Sequence, residues 1–167
     1  MQPGHAERLA EIYEQYRRAL VAMAFNILGC RHRAEDAVHD AFARVVQSQR
    51  LVEDPVAYCF RAVRNAALNV ARKNRVQQRG LELYQSSQTG EVVGGDDVDG
   101  CGNLEVLVRL IESLPPDQRE LILLKIHANL TFVQIGEIQN VPMKTVATRY
   151  RRVIEALKAK LEQVHES

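Results

Sequence analysis

Two groups of basic residues are placed where they could hold a polyanion. From Arg61 to Arg79 the chain carries six basic residues and no acid, and from Met143 to Lys160 it carries six against Glu155 alone. Side chains of this kind neutralise phosphates, and the guanidinium adds a planar fork that matches a pair of anionic oxygens. A charge run by itself is a solvated helix face. Two runs, each following an apolar helical segment, call for a further task. The other chemistry-bearing residues do not converge. His5, His32, His39, His127 and His165 show neither a metal spacing nor a nucleophile arrangement. Cys30-x-His32 with His39 supplies at most three zinc ligands, and the sequence places no fourth. No glycine-rich phosphate loop follows a strand. The expectation is a chain that is not an enzyme and that holds no cofactor and no metal.

The 167 residues suffice for one ordinary domain or two small ones, and 46% hydrophobic content supports real cores. The net charge of +1 conceals an uneven distribution. Residues 1–80 hold 13 Lys/Arg against 8 Asp/Glu, residues 81–103 hold none against 5, and residues 104–167 hold 9 against 8. Two basic regions flank an acidic strip. No window reaches ~18 uninterrupted apolar residues, so no membrane-spanning helix is expected. The charged amino terminus lacks the apolar block of a secretory signal. Cys30, Cys59 and Cys101 are an odd count at unrelated spacings, which argues against a disulfide framework and for a reducing cytoplasm.

The elements that must position the basic residues are helices. Leu9, Ile12, Tyr13, Tyr16, Leu20, Met23, Ala24 and Ile27 recur at helical spacing, closed by Gly29 and Cys30. Ala34, Ala37, Val38, Ala41, Phe42, Val45 and Val46 line a second helix. Leu51 to Pro55 interrupts the pattern, because proline disfavours helix in the residue before it. A third helix is predicted from about Val56 to about Arg75, with Tyr58, Val63, Leu68 and Val70 as its apolar contacts. Residues 85–103 contain five glycines and no periodicity, the composition of a flexible linker. Beyond it, Val106, Leu107, Leu110 and Ile111 mark a helix ended by Leu114-Pro115-Pro116-Asp117. Leu121, Ile122, Leu124 and Ile126 continue the next one to His127. No strand-like alternation of useful length appears. The fold class is therefore all-α: two small helical domains joined by a flexible linker, with a helix-turn-helix in the second.

That motif spans Thr131 to Tyr150. Thr131-x-x-Gln134 fits a capping box, and Gly136 is small where two helices must pass closely. Asn140 stands where the turn needs a residue that tolerates positive φ; Val141 can plug the space between the helices, and Pro142 presets entry to the second one. The second helix buries Val146, Tyr150, Val153, Leu157 and Leu161, and at 100° per residue Lys144, Thr148, Arg151 and Arg152 fall broadly opposite. Such a helix suits the major groove of DNA. Lys144, Thr145, Thr148 and Arg151 are the candidates for base contacts, and Arg149 and Arg152 for phosphates.

The chain as a whole resembles bacterial sigma factors of the extracytoplasmic-function group, in the sigma-70 family. Three motifs in the family's order carry the resemblance: AEDAVHDAFARVV (34–46), DPVAYCFRAVRNAALNVARKNR (54–75) and LPPDQRELILLKIHANLTFVQIGEIQNVPMKTVATRYRR (114–152). It implies three regions: 1–80 binding core RNA polymerase and melting the promoter, 81–103 as an acidic linker, and 104–167 reading the −35 element. Asp36, His39, Asp40 and Phe42 would face the coiled coil of the polymerase's largest subunit. Arg61, Arg64, Asn65, Asn69, Arg72 and Lys73 would line the −10 path, with Tyr58 and Phe60 as aromatics that could stack on bases. The loop from Gln47 to Pro55 would help form a pocket for a flipped base. The chain departs from the family's usual residues at Val46 and Tyr58, where tryptophan is frequent, at His39 (glutamine), Asn69 (aspartate) and Lys144 (glycine). The partners implied are core RNA polymerase and promoter DNA, with an anti-sigma factor, often at the membrane, holding the protein inactive. A helix-turn-helix regulator that binds duplex DNA alone is the alternative. It leaves the acidic second helix and the basic third helix without a task.

Overall fold

The computed structural model describes residues 4–79 and 102–166 of the chain, and the elements assigned there are all helical. They form two separate compact units. The linker predicted over 81–103 lies outside the described residues apart from Gly102 and Asn103, which open a helix.

The first unit is three helices: α1 (His5–Leu28), α2 (Arg31–Ser48) and α3 (Pro55–Arg79). At the start of α1 the Gly4 N–H donates to the Glu7 carboxylate at 3.2 Å. The helix ends where Gly29 turns left-handed at φ 68°, its N–H donating to the Phe25 carbonyl at 2.7 Å. Glycine takes that conformation without the Cβ penalty. α2 buries Ala34, Ala37, Val38, Ala41, Phe42 and Val45, an unbroken three–four spacing along one face. At the start of α3 the Asp54 carboxylate accepts from the Ala57 N–H at 3.0 Å, supplying one of the acceptors a helix amino terminus lacks.

The buried face of α3 differs from the predicted one. Of Tyr58, Val63, Leu68 and Val70, only Val63 is fully buried; the others are half-buried. The core is instead met by Ala57, Cys59, Phe60, Val63 and Ala67. Small side chains there let the helices approach closely, and Phe60 fills the remaining space, edge-on to Tyr16 with ring centroids 5.6 Å apart.

The second unit contains α4 (Gly102–Glu112), α5 (Pro116–Ile122), α6 (Phe132–Gln139) and α7 (Met143–Glu166). Leu114, Ile122, Val153 and Leu157 form a core flanked by Leu110, Ile111, Tyr150 and Ile154. α5 runs into a single π-helical turn, Leu123–His127. The wider turn carries Ile126 out of the expected apolar register, leaving it 59% exposed, while Leu124 stays buried. Lys125 then reaches forward, its ammonium 3.1 Å from the Leu130 carbonyl and 4.5 Å from the centre of the Phe132 ring. The one buried carboxylate among the described residues, Glu120, accepts from the Gln139 side-chain amide at 3.3 Å and ties α5 to α6.

Candidate nucleic-acid and polymerase-binding surfaces

The helix-turn-helix is assembled by local rules. The Thr131 hydroxyl accepts from the Gln134 N–H at 3.1 Å while the Gln134 side chain accepts from the Thr131 N–H at 2.9 Å, a complete capping box. α6 ends at Asn140, left-handed at φ 58° and ψ 47°. The next residues fold back so tightly that a Cβ on Gly136 would lie 2.7 Å from the Val141 carbonyl oxygen. Gly136 is thus required by the turn backbone more than by a facing helix. The Pro142 carbonyl accepts from the Thr145 and Val146 N–H groups at 3.0 and 3.2 Å and starts α7. Val146, fully buried, pins the start of α7 to the unit, and Phe132 and Tyr150 meet with centroids 5.5 Å apart.

The remaining face of α7 is the candidate duplex surface. Lys144, Thr148, Arg149, Arg151 and Arg152 are exposed, and Thr145 is half-buried. From Lys144 to Arg152 this face runs about 12 Å along the helix. The Thr148 hydroxyl donates to the Lys144 carbonyl at 2.9 Å, so towards solvent it presents a methyl group and acceptor lone pairs.

In the first unit, Arg61, Asn65, Asn69, Arg72 and Lys73 are exposed and fall within about a third of the circumference of α3. They form a basic and amide stripe about 18 Å long. Arg64 is half-buried beside it. Val76, exposed, continues the stripe and had no signal in the charge pattern. Of the two aromatics considered for stacking, Phe60 is fully buried and belongs to the core, and Tyr58 is half-buried.

α2 turns Asp36, His39 and Asp40 outwards, with His32 3.5 Å from the Asp36 carboxylate. Phe42 does not join them. It is 8% exposed and packs edge-on against Tyr13, centroids 5.1 Å apart. The apolar residue on the acidic face is instead Val46, 40% exposed. α1 contributes to the same surface in a way the motif did not reveal. Tyr13 lies 5.9 Å from the His39 ring, and the Arg17 guanidinium sits 5.8 Å over Tyr13. The four-residue spacing of Tyr13 and Arg17 was a local clue, but their closeness to His39 depends on how α1 crosses α2.

No group of three His, Cys, Asp or Glu side chains among the described residues is placed to hold a metal ion. Cys59 is buried, and desolvation pushes its thiol from 9.0 up to about 12, so it is a neutral core side chain. Cys30 is free and half-buried at the start of α2, and Cys101 lies outside the described residues. No helix among the described residues is long and apolar enough to cross a membrane.

Comparison with known proteins matches the chain to one family. Residues 12–76 match the family model for sigma-70 region 2, and residues 104–157 the model for sigma-70 region 4; together they span well over half of the chain. The extracytoplasmic-function RNA polymerase sigma factor SigW of Bacillus subtilis is 27% identical over 173 residues, covering 96% of this chain and 92% of SigW. The fold is similar to that of the sigma factor RpoE from Bartonella quintana, solved in complex with the anti-sigma factor NepR. The TM-score is 0.68 at 21% identity, over 95% of this chain and 96% of the other.

Proposed function

Because the chain belongs to the sigma-70 family, as an extracytoplasmic-function sigma factor that directs transcription initiation, we propose that its surfaces divide the work of initiation as follows. Asp36, His39 and Asp40 on α2, with Val46 as the apolar contact, engage a coiled coil of core RNA polymerase. A helix face of acids around an apolar residue suits a helical partner. Phe42 acts from inside, holding Tyr13 and through it the edge of this surface. The stripe on α3, from Arg61 through Asn65 and Asn69 to Arg72 and Lys73, follows the −10 strand, with its cations on phosphates and its amides towards bases. Arg64 supports the stripe from its flank. Lys144, Thr145, Thr148 and Arg151 on α7 read the −35 duplex, and Arg149 and Arg152 hold its backbone.

The observation that carries this division is the pairing, within one three-helix unit, of a face on α2 that displays Asp36, His39 and Asp40 with an acid-free basic stripe on α3. A regulator acting through its helix-turn-helix alone needs neither. The protein supplies recognition and opening, and the polymerase supplies catalysis. The acidic segment 81–103, between the two regions, is suited by its charge to a channel shaped for nucleic acid. An anti-sigma factor is proposed as a further partner, by likeness to the Bartonella protein solved with one. The working compartment is the cytoplasm.

The test is a separation of functions. Reversing the charge at Asp36 and Asp40 is expected to weaken association with core polymerase roughly tenfold or more while α7 stays folded. Lys144→Ala and Arg151→Ala are expected to cut promoter selection roughly tenfold with core association intact. Loss of core association in the α7 variants would overturn the division.

A further inference from the structure

The amino-terminal end of α7 borders an open groove of about 490 Å³, lined among others by Val133, Gly136, Glu137, Val141, Pro142 and Met143. Two of its walls are large apolar side chains left in water: Val133 is 52% exposed and Met143 47% exposed. Single exposed apolar residues are ordinary, but two sharing one groove beside a DNA-facing helix are not explained by folding. Met143 is the first residue of α7, where the helix starts on the Pro142 carbonyl, and about half of it stays exposed there. Glu137 is the only ionisable residue lining the groove, and its negative charge repels phosphate. The groove therefore fits the edge of a base better than the sugar-phosphate backbone.

A helix-turn-helix presents the first residues of its second helix to base edges in the major groove. The apolar feature displayed there is the C5-methyl group of thymine, which is read by apolar side chains. We propose that Met143 is a sequence-determining contact, packing together with Val133 around the C5-methyl group of one thymine in the −35 element. The inference rests on the reading of α7 as the −35 helix and adds to it a residue outside the basic and hydroxylated set. The thioether side chain is unbranched and polarisable, so it can follow a methyl group where a β-branched residue could not.

The experiment uses holoenzyme reconstituted from the full chain and core polymerase, on a promoter mapped from its own transcripts. Each −35 thymine is replaced in turn by deoxyuridine, which removes only the methyl group. At one position the wild-type holoenzyme is expected to bind about fourfold more weakly, the equivalent of one buried methyl group. Met143→Ala is expected to bind the unmodified promoter about that much more weakly and to be indifferent to deoxyuridine at that position. Arg151→Ala, which acts on the same helix by another contact, is expected to keep the full deoxyuridine effect. A −35 element without thymine, no deoxyuridine effect at any position, or an equal effect in Met143→Ala would each overturn the proposal. So would a Met143→Ala protein that binds promoter normally but core polymerase weakly, since the groove would then be a protein contact. In all these cases a loss of promoter binding in Arg151→Ala keeps the reading of α7 itself standing. Normal promoter binding in Arg151→Ala, with no deoxyuridine effect anywhere, overturns both.

Discussion

Replacing Gly136 with alanine tests the geometry that aims α7. In an unobstructed helix interior this substitution stabilises by about 1 kcal/mol, because alanine is the better helix former. Here the added Cβ would stand 2.7 Å from the Val141 carbonyl oxygen, with the Met143 nitrogen at 3.5 Å. Both neighbours are backbone, so neither can rotate aside, and the turn itself has to move by several tenths of an ångström. Overpacking of this kind costs about 1–3 kcal/mol. The displaced turn also stretches the 3.0 Å bond from the Val141 N–H to the Gly136 carbonyl, worth about 1 kcal/mol more. The clash outweighs the propensity gain, and the second unit is expected to lose about 1–3 kcal/mol. Amide hydrogen exchange read by mass spectrometry separates the two units. Peptides from α6 and α7 should exchange about 5- to 150-fold faster and those from α1 to α3 should be unchanged. Promoter binding should fall as well, since Met143 and Lys144 move with the turn. Slower exchange in α6 and α7 would refute the reasoning, because it would mean that the turn yields freely and propensity decides.

Other perturbations follow from the same packing. Phe60→Ala removes a fully buried ring seated against Tyr16 and should cost about 3–5 kcal/mol, seen as a collapsed urea midpoint for the first unit and loss of core association. Asn140→Ala forces a Cβ-bearing residue without a polar side chain into the left-handed region at φ 58° and should destabilise the second unit by about 1 kcal/mol, whereas Asn140→Gly should not. The raised thiol of Cys59 gives a pH signature. Its neutral form in the fold is stabilising relative to the unfolded chain, so that contribution is fully present below pH 9.0 and is lost as pH rises towards about 12. Urea titrations across that window should show a steeper loss of stability in the wild type than in Cys59→Ala, and equal slopes would contradict the burial argument.

What the sequence made legible was set by local chemistry. The Thr131 capping box and the left-handed Asn140 depend on neighbours within a few residues, and both appear in the structure; the small residue at Gly136 was also legible, though the turn backbone and not a facing helix is what requires it. The packed face of α3 was misjudged because periodicity weighs large apolar residues, whereas close helix crossing selects Ala57, Cys59 and Ala67. Ile126 was misplaced because the π-helical turn changes the residue count per turn, which a regular three–four pattern cannot anticipate. In the candidate sites, the basic and hydroxylated face of α7 could be read from spacing alone. The exposure of Val46 in place of Phe42, and the approach of Tyr13 to His39, depend on how α1 and α2 cross, which spacing within one helix does not encode.

The most direct measurement is in vitro transcription of fragmented source-genome DNA by core RNA polymerase, with and without this protein, with start sites mapped. The account predicts new, discrete start sites that appear only with the protein and share two short upstream elements. It also predicts that Asp36 and Asp40 charge reversal weakens them all alike, while Arg151→Ala weakens them through the upstream element. Absence of new starts, together with specific duplex binding by the protein alone, would contradict the account and leave a helix-turn-helix regulator in its place.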